Sequence, residues 1–298
     1  MSPRRLAVAL ASSATVLLIA VCGAPAALAA TATSSNWAGY VVARSHVTFR
    51  HVSATWVQPA VSCTAGRATY SATWVGLGGN SAASPALEQI GTEADCSAGG
   101  TARYSTWYEL VPDVSHSAKL TLHAGDTIHA SVAVASHVVT LKLSNLTRGT
   151  SATKTLHAAT VDVGSAEWIV EAPSLCASAS MSSCSVAALA NFAPTAFSRA
   201  SATTTAGHTG TVADAAWDAT AIDLASFGGG GRRFARSPAQ SSGSAAATAT
   251  TSALDATGAA FSVAYGQPPT PATAPAPAPV DPAAPAPAPA AVAATRHG

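Results

Sequence analysis

Charge is what this sequence has least of. Its 298 residues include 15 Lys and Arg and 14 Asp and Glu, 10% in all, against roughly 25% in ordinary soluble domains. The formal net charge is +1, and no basic run or acidic block stands out. That argues against nucleic-acid binding driven by phosphate neutralisation and against polybasic docking on membranes. Long apolar runs are also missing beyond the N-terminus, so no spanning helix is expected. Glutamate is scarcer still: Glu88, Glu93, Glu109, Glu167 and Glu171 are the complete set, and all lie in the middle of the chain.

The first 29 residues read as a secretory signal. Arg4 and Arg5 form the charged start, Leu6 to Cys22 the apolar stretch, and Ala27-Leu28-Ala29 a small-residue cleavage site. The protein is therefore expected outside the cell, with no stable membrane association after cleavage. Loss of the signal leaves Cys63, Cys96, Cys176 and Cys184, an even number in an oxidising compartment, for which two disulfides are the natural reading. Cys176 and Cys184 are close enough to close a local loop, which would leave Cys63 for Cys96, but the sequence alone allows three connectivities. A zinc site fits poorly, because there is no C-x-x-C and no histidine at ligand spacing beside the cysteines.

Ten of the eighteen prolines lie beyond Gln267. Residues 267–298 are expected to be a disordered Pro/Ala tail, and 227–250, opening on four glycines, a long mobile loop. The folded unit is then 30–266. Within it the hydrophobic period is two: residues 69–75, 130–134, 138–143 and 260–265 are β-rich runs bounded by turn formers. The pattern predicts an all-β fold, an antiparallel sandwich or barrel. Asn145-Leu146-Thr147 is formally a glycosylation sequon, read here as a turn.

Most catalytic signatures are absent. There is no G-x-S-x-G, H-E-x-x-H, phosphate-cradling Gly-Lys-Ser/Thr loop or aspartic D-T/S-G triplet. His116, His123, His129 and His137 have no flanking constellation and read as surface or packing residues. Glutamate remains.

Six segments then occur in a telling order: Ser35-Asn36-Trp37-Ala38-Gly39-Tyr40, Trp74-Val75-Gly76-Leu77-Gly78-Gly79, Ala86-Leu87-Glu88-Gln89-Ile90-Gly91, Trp107-Tyr108-Glu109, Gly125-Asp126-Thr127-Ile128 and Ala166-Glu167-Trp168-Ile169-Val170-Glu171. Their order and spacing resemble the glutamic peptidases, or eqolisins. The resemblance implies two curved antiparallel sheets in a concanavalin-like β-sandwich, no cofactor or metal, and polypeptide substrates cleaved at acid pH. It places Gln89 and Glu171 at the catalytic pair, Trp37 and Trp74 along the substrate cleft, and Glu109 at an outer acidic position. It also supports a Cys176–Cys184 loop, whereas the partner of Cys63 is not inherited from it. Two residues depart from the family pattern: Gly78 stands where an acidic residue is expected, and Glu88 where an apolar one is.

Strand alternation puts Glu167, Ile169 and Glu171 on one face, so Glu167 is a candidate supporting residue behind the pair. In the implied chemistry Glu171 takes a proton from a water and later gives it to the leaving amine, while the Gln89 amide holds the water and then the oxyanion. A monomer is expected. The competing reading is a lectin-like secreted module that binds glycan or peptide without catalysis.

Overall fold

The structure, a computed structural model, describes residues 29–81, 86–176, 184–225 and 247–266. The expected signal (1–29) except its last residue, most of the expected loop and the expected tail lie outside the described residues. Among those described there are twenty strands and no helix.

In chain order the strands are β1 (Ala30–Ser34), β2 (Trp37–Ala43), β3 (Phe49–Val57), β4 (Val61–Ser62), β5 (Ala72–Gly78), β6 (Leu87–Cys96) and β7 (Ala102–Val111). There follow β8 (His116–Ser117), β9 (Thr127–Ala135), β10 (Val138–Asn145), β11 (Thr150–His157), β12 (Ser165–Glu171), β13 (Ser174–Cys176) and β14 (Cys184–Val186). The last six are β15 (Asn191–Phe192), β16 (Thr195–Thr204), β17 (Thr209–Thr211), β18 (Asp218–Ala225), β19 (Ala247–Thr251) and β20 (Phe261–Tyr265). The principal sheet runs β11-β10-β9-β3-β16-β20-β19-β18-β2-β12-β5-β6-β7-β8, with β1 added on β18 and β17 on β16. Among the described strands only β1 pairs in parallel.

This ribbon folds over on itself, so its two halves form the layers of an antiparallel sandwich, as the period of two predicts. Val52, Ala54 and Trp56 of β3, Ile128, Ala130 and Val132 of β9, Val75 and Leu77 of β5, and Ala166, Trp168 and Val170 of β12 meet in one core. Burial of these apolar side chains supplies the main driving force, about 1.5–3 kcal/mol for each large one. The run at 69–75 starts later as a strand than its pattern suggests, because Thr69 and Tyr70 make only isolated bridges to Cys96 and Leu189.

Alternate residues of β2, β12, β5, β6 and β7 point away from that core, and there a second apolar cluster forms around Trp37, Trp74, Leu87, Trp107 and Ile169. Close strand approach makes this surface possible. A β-carbon at Gly39 would stand 2.1 Å from the Trp168 carbonyl oxygen, so only glycine lets β2 lie so tightly on β12.

Two disulfides are present, Cys63–Cys96 and Cys176–Cys184. The second ties β13 to β14 just past Glu171. Asn145 is buried: its side-chain amide donates to Asp126 Oδ2 at 2.8 Å and to the Thr121 carbonyl. Asp126 also receives Arg148 Nε at 2.7 Å, which gives the Gly125-Asp126-Thr127-Ile128 motif a structural role under the β9–β10 hairpin.

Candidate active site

The register of three adjacent strands lays out the site. Gln89 of β6 pairs with Gly76 of β5, and Gly76 with Glu167 of β12; four residues along, Glu171 pairs with Ala72 of the same β5. Trp74 stands between these two rows. Gln89, Trp74, Glu167 and Glu171 therefore share one face, the outward one, and β7 extends it with Glu109 directly opposite Gln89.

Glu171 is held at both oxygens. Asn36 Nδ2 donates to Oε1 at 3.0 Å and Trp74 Nε1 donates to Oε2 at 2.9 Å. Asn36 is oriented in turn by Ser34, whose hydroxyl donates to Asn36 Oδ1 and accepts the Trp37 backbone N–H. Removal from water pushes the Glu171 carboxyl up to about 7, with the negative charge of Glu109 adding to the effect; hydrogen bonds from Trp74, Trp37 and Asn36 pull the other way.

Gln89 is buried, and its Nε2 donates to Glu109 Oε2 at 2.6 Å. The amide carries two donor hydrogens and an acceptor oxygen, so one hydrogen remains. Its Oε1 has no hydrogen-bond partner among the described residues. Glu109 thus bridges the pair, bonded to Gln89 and near enough to Glu171 to raise its pKa.

The tryptophans of the cleft are less open than their family position implies. Trp74 is completely buried, and Trp37 packs edge to face on it at 5.2 Å. Trp74 touches Glu171, not solvent. Glu167 is also completely buried, and burial drives its carboxyl well above the usual range, with Asp162 and Glu88 adding repulsion. Burial thus favours its neutral, protonated form beneath the site.

Both departures from the family pattern have structural partners. Gly78 has φ +83°, and a β-carbon there would stand 2.4 Å from Cβ of Asp162. The loop before β12 fills that spot with its own carboxylate, and Asp162 Oδ2 accepts the Gly79 N–H. Glu88 faces the interior, the side of β6 opposite Gln89, and burial raises its carboxyl to about 8. Asn36 and Asp162 were missed as site residues. Asn36 lies inside a motif quoted above, but its role depends on the turn between β1 and β2. No group of His, Cys, Asp and Glu among the described residues is arranged to hold a metal.

The family description Peptidase A4 matches residues 35–252. Scytalido-glutamic peptidase, solved with a peptide-based transition-state analogue, is 26% identical; the match covers 78% of this chain and 98% of that one, with a TM-score of 0.60. SCP-B, a member of the eqolisin family solved with the tripeptide Ala-Ile-His, is 24% identical over the same shares, with a TM-score of 0.57. No curated protein sequence matches the chain.

Proposed function

Because the chain belongs to the Peptidase A4 family and is a glutamic peptidase, we propose that it is a secreted endopeptidase in which Gln89 and Glu171 act on one water. The observation that carries this reading is the complementary preparation of the two side chains. Glu171 has both oxygens fixed by neutral donors, while Gln89 has one N–H anchored on Glu109 and its other polar groups available.

Ionised Glu171 removes a proton from the water as it attacks the scissile carbonyl. The Gln89 amide orients that water through Oε1 and then donates its remaining N–H to the oxyanion. Protonated Glu171 passes its proton to the departing amine. A peptide-based transition-state analogue in the scytalido enzyme suits a site that stabilises such an oxyanion. Trp37 and Trp74 pack together behind Glu171 and hold it, and Glu167 supports the floor as a neutral acid.

A general base works best near its own pKa. The base must be ionised to act, so with Glu171 raised to about 7 the rising limb of the rate sits near neutrality, above the acid range that the family resemblance implies. The two disulfides suit an oxidising, extracellular setting. The test is hydrolysis of a denatured protein from pH 3 to 8 by the purified chain and by Glu171→Gln. Equal cleavage by both forms removes Glu171 from the mechanism.

A further inference from the structure

The charges are divided between the two layers. All five glutamates lie on β6, β7 and β12, the site layer. The five strands β11, β10, β9, β3 and β16 of the other layer contain no Asp or Glu at all. On their outer face, alternating with the core-facing Val52, Ala54, Ile128, Ala130, Leu141 and Leu143, stand His51, His129 and Lys142. Arg199 joins them at the bulge in β16, exposed and at φ +53°.

These cations form a group. His129 Nδ1 lies 3.1 Å from the Thr55 hydroxyl, and Lys142 on one side and Arg199 on the other are both close enough to disfavour its protonation, after burial. His51, farther along β3, is held down by burial, by His129 and by Arg50. Every charged group acting on the two histidines is thus a cation. Four adjacent strands at their usual spacing carry the group across about 14 Å. Between the cations stand the half-buried hydroxyls of Ser131, Ser144 and Ser201, the last 3.1 Å from the hydroxyl of the buried Ser53.

We propose that this outer face docks a polyanion, specifically a polymer of phosphodiester-linked polyols, along the row Lys142, His129 and Arg199. An acid-free cationic surface with no internal counter-charge attracts anions. The histidines gain charge only on the acid side of 6.5, and a phosphodiester, being a strong acid, stays fully ionised over that whole range. The interspersed Ser and Thr hydroxyls match polyol oxygens and phosphate oxygens. Because this face and the site face point away from the common core in opposite directions, a docked molecule keeps its cleft turned to solution.

Retention of the full chain on beads carrying poly(glycerol phosphate), neutral dextran or single-stranded DNA tests the proposal. The expected result is retention on the phosphate polymer at pH 4.5, released by salt and about tenfold weaker at pH 7.5. The double variant Lys142→Gln/Arg199→Gln lowers retention about tenfold at both pH values while leaving hydrolysis of a soluble protein unchanged. His129→Gln removes most of the pH dependence. Equal retention on neutral dextran, tighter retention on DNA, or no effect of the double variant with hydrolysis intact overturns the proposal. The wild-type comparison among the three matrices decides the matter even where a variant fails to fold. Binding is read without proteolysis, so its outcome is independent of the catalytic reading.

Discussion

Gln89 and Glu109 face each other across β6 and β7, and the amide of one is anchored on the carboxylate of the other at 2.6 Å. The same carboxylate raises the pKa of Glu171. Glu109 therefore sets both the pose of the amide and the acidity of the base. Glu109→Gln removes the charge and keeps a hydrogen-bonding oxygen. The rising limb of kcat/KM against pH is expected to move to lower pH, with the plateau rate largely kept. An unmoved limb would show that the Glu109 charge does not reach Glu171.

Asn36→Leu is expected to do the opposite. It deletes a donor that favours ionised Glu171, so the limb moves to higher pH. A pH–rate profile of the two variants beside the parent reads both signs in one experiment, and a shared direction would contradict the assignment of the two neighbours.

Gln89→Ala tests the oxyanion role. Loss of one such donor costs about 10²–10³ in kcat, with little change in KM and no loss of fold by circular dichroism. A reduction of tenfold or less would move the oxyanion donor elsewhere.

Stability should fall as pH rises from 4 to 8. Burial raises Glu88 to about 8 and Glu167 well above its ordinary value, and Asp95 rises to about 7 through burial and the nearby Glu93 charge. Each such acid holds a proton when folded that it releases when unfolded. The unfolded state therefore binds fewer protons between the unfolded and folded pKa values, and the slope is negative, about 1.4 kcal/mol per pH unit for one fully buried group. Asp126 acts the other way: burial opposes its ionisation, but Arg148, Asn145 and the His123 N–H outweigh it and lower its pKa, so its contribution is lost below about 4. Urea midpoints at pH 4.5, 6 and 8 should decline in that order, and Glu88→Gln should flatten the decline. A midpoint that rises over this range would contradict the buried-acid account.

Gly78→Ala combines a positive φ with a 2.4 Å approach to Asp162. The expected loss of stability is about 1–3 kcal/mol, partly recovered by Asp162→Gly in the same chain. Thermal melts of the single and double variants measure the coupling.

The strands at 130–134, 138–143 and 260–265 were legible because each has one face on the core and one in water, which forces a period of two. The face shared by Gln89 with Leu87 and by Glu171 with Glu167 follows from the same rule. What Glu88 meets was not legible, since alternation says only that it points away from Gln89, and the other side turns out to be the interior. Asp162 and Gly78 are 84 positions apart and meet through the loop before β12, a contact no local pattern encodes. The Ser34–Asn36–Glu171 relay was hidden for a similar reason: its geometry belongs to a turn, and its acceptor arrives from a strand far along the chain.

That relay fixes when the carboxylate of Glu171 is fully supported. Ser34 ends β1, whose pairing partner is β18, and Asn36 meets Glu171 beside β2, which is flanked by β12 and β18. A chain still being synthesised has its amide-bearing strand β6 long before residue 218 emerges. Until then β1 has no neighbour to lie on, the Asn36 donor is not steadied, and the carboxylate lacks its full set of supports. The site is completed late, by strands from opposite ends of the fold, so Glu171 gains its full set of supports only when almost all of the sandwich exists.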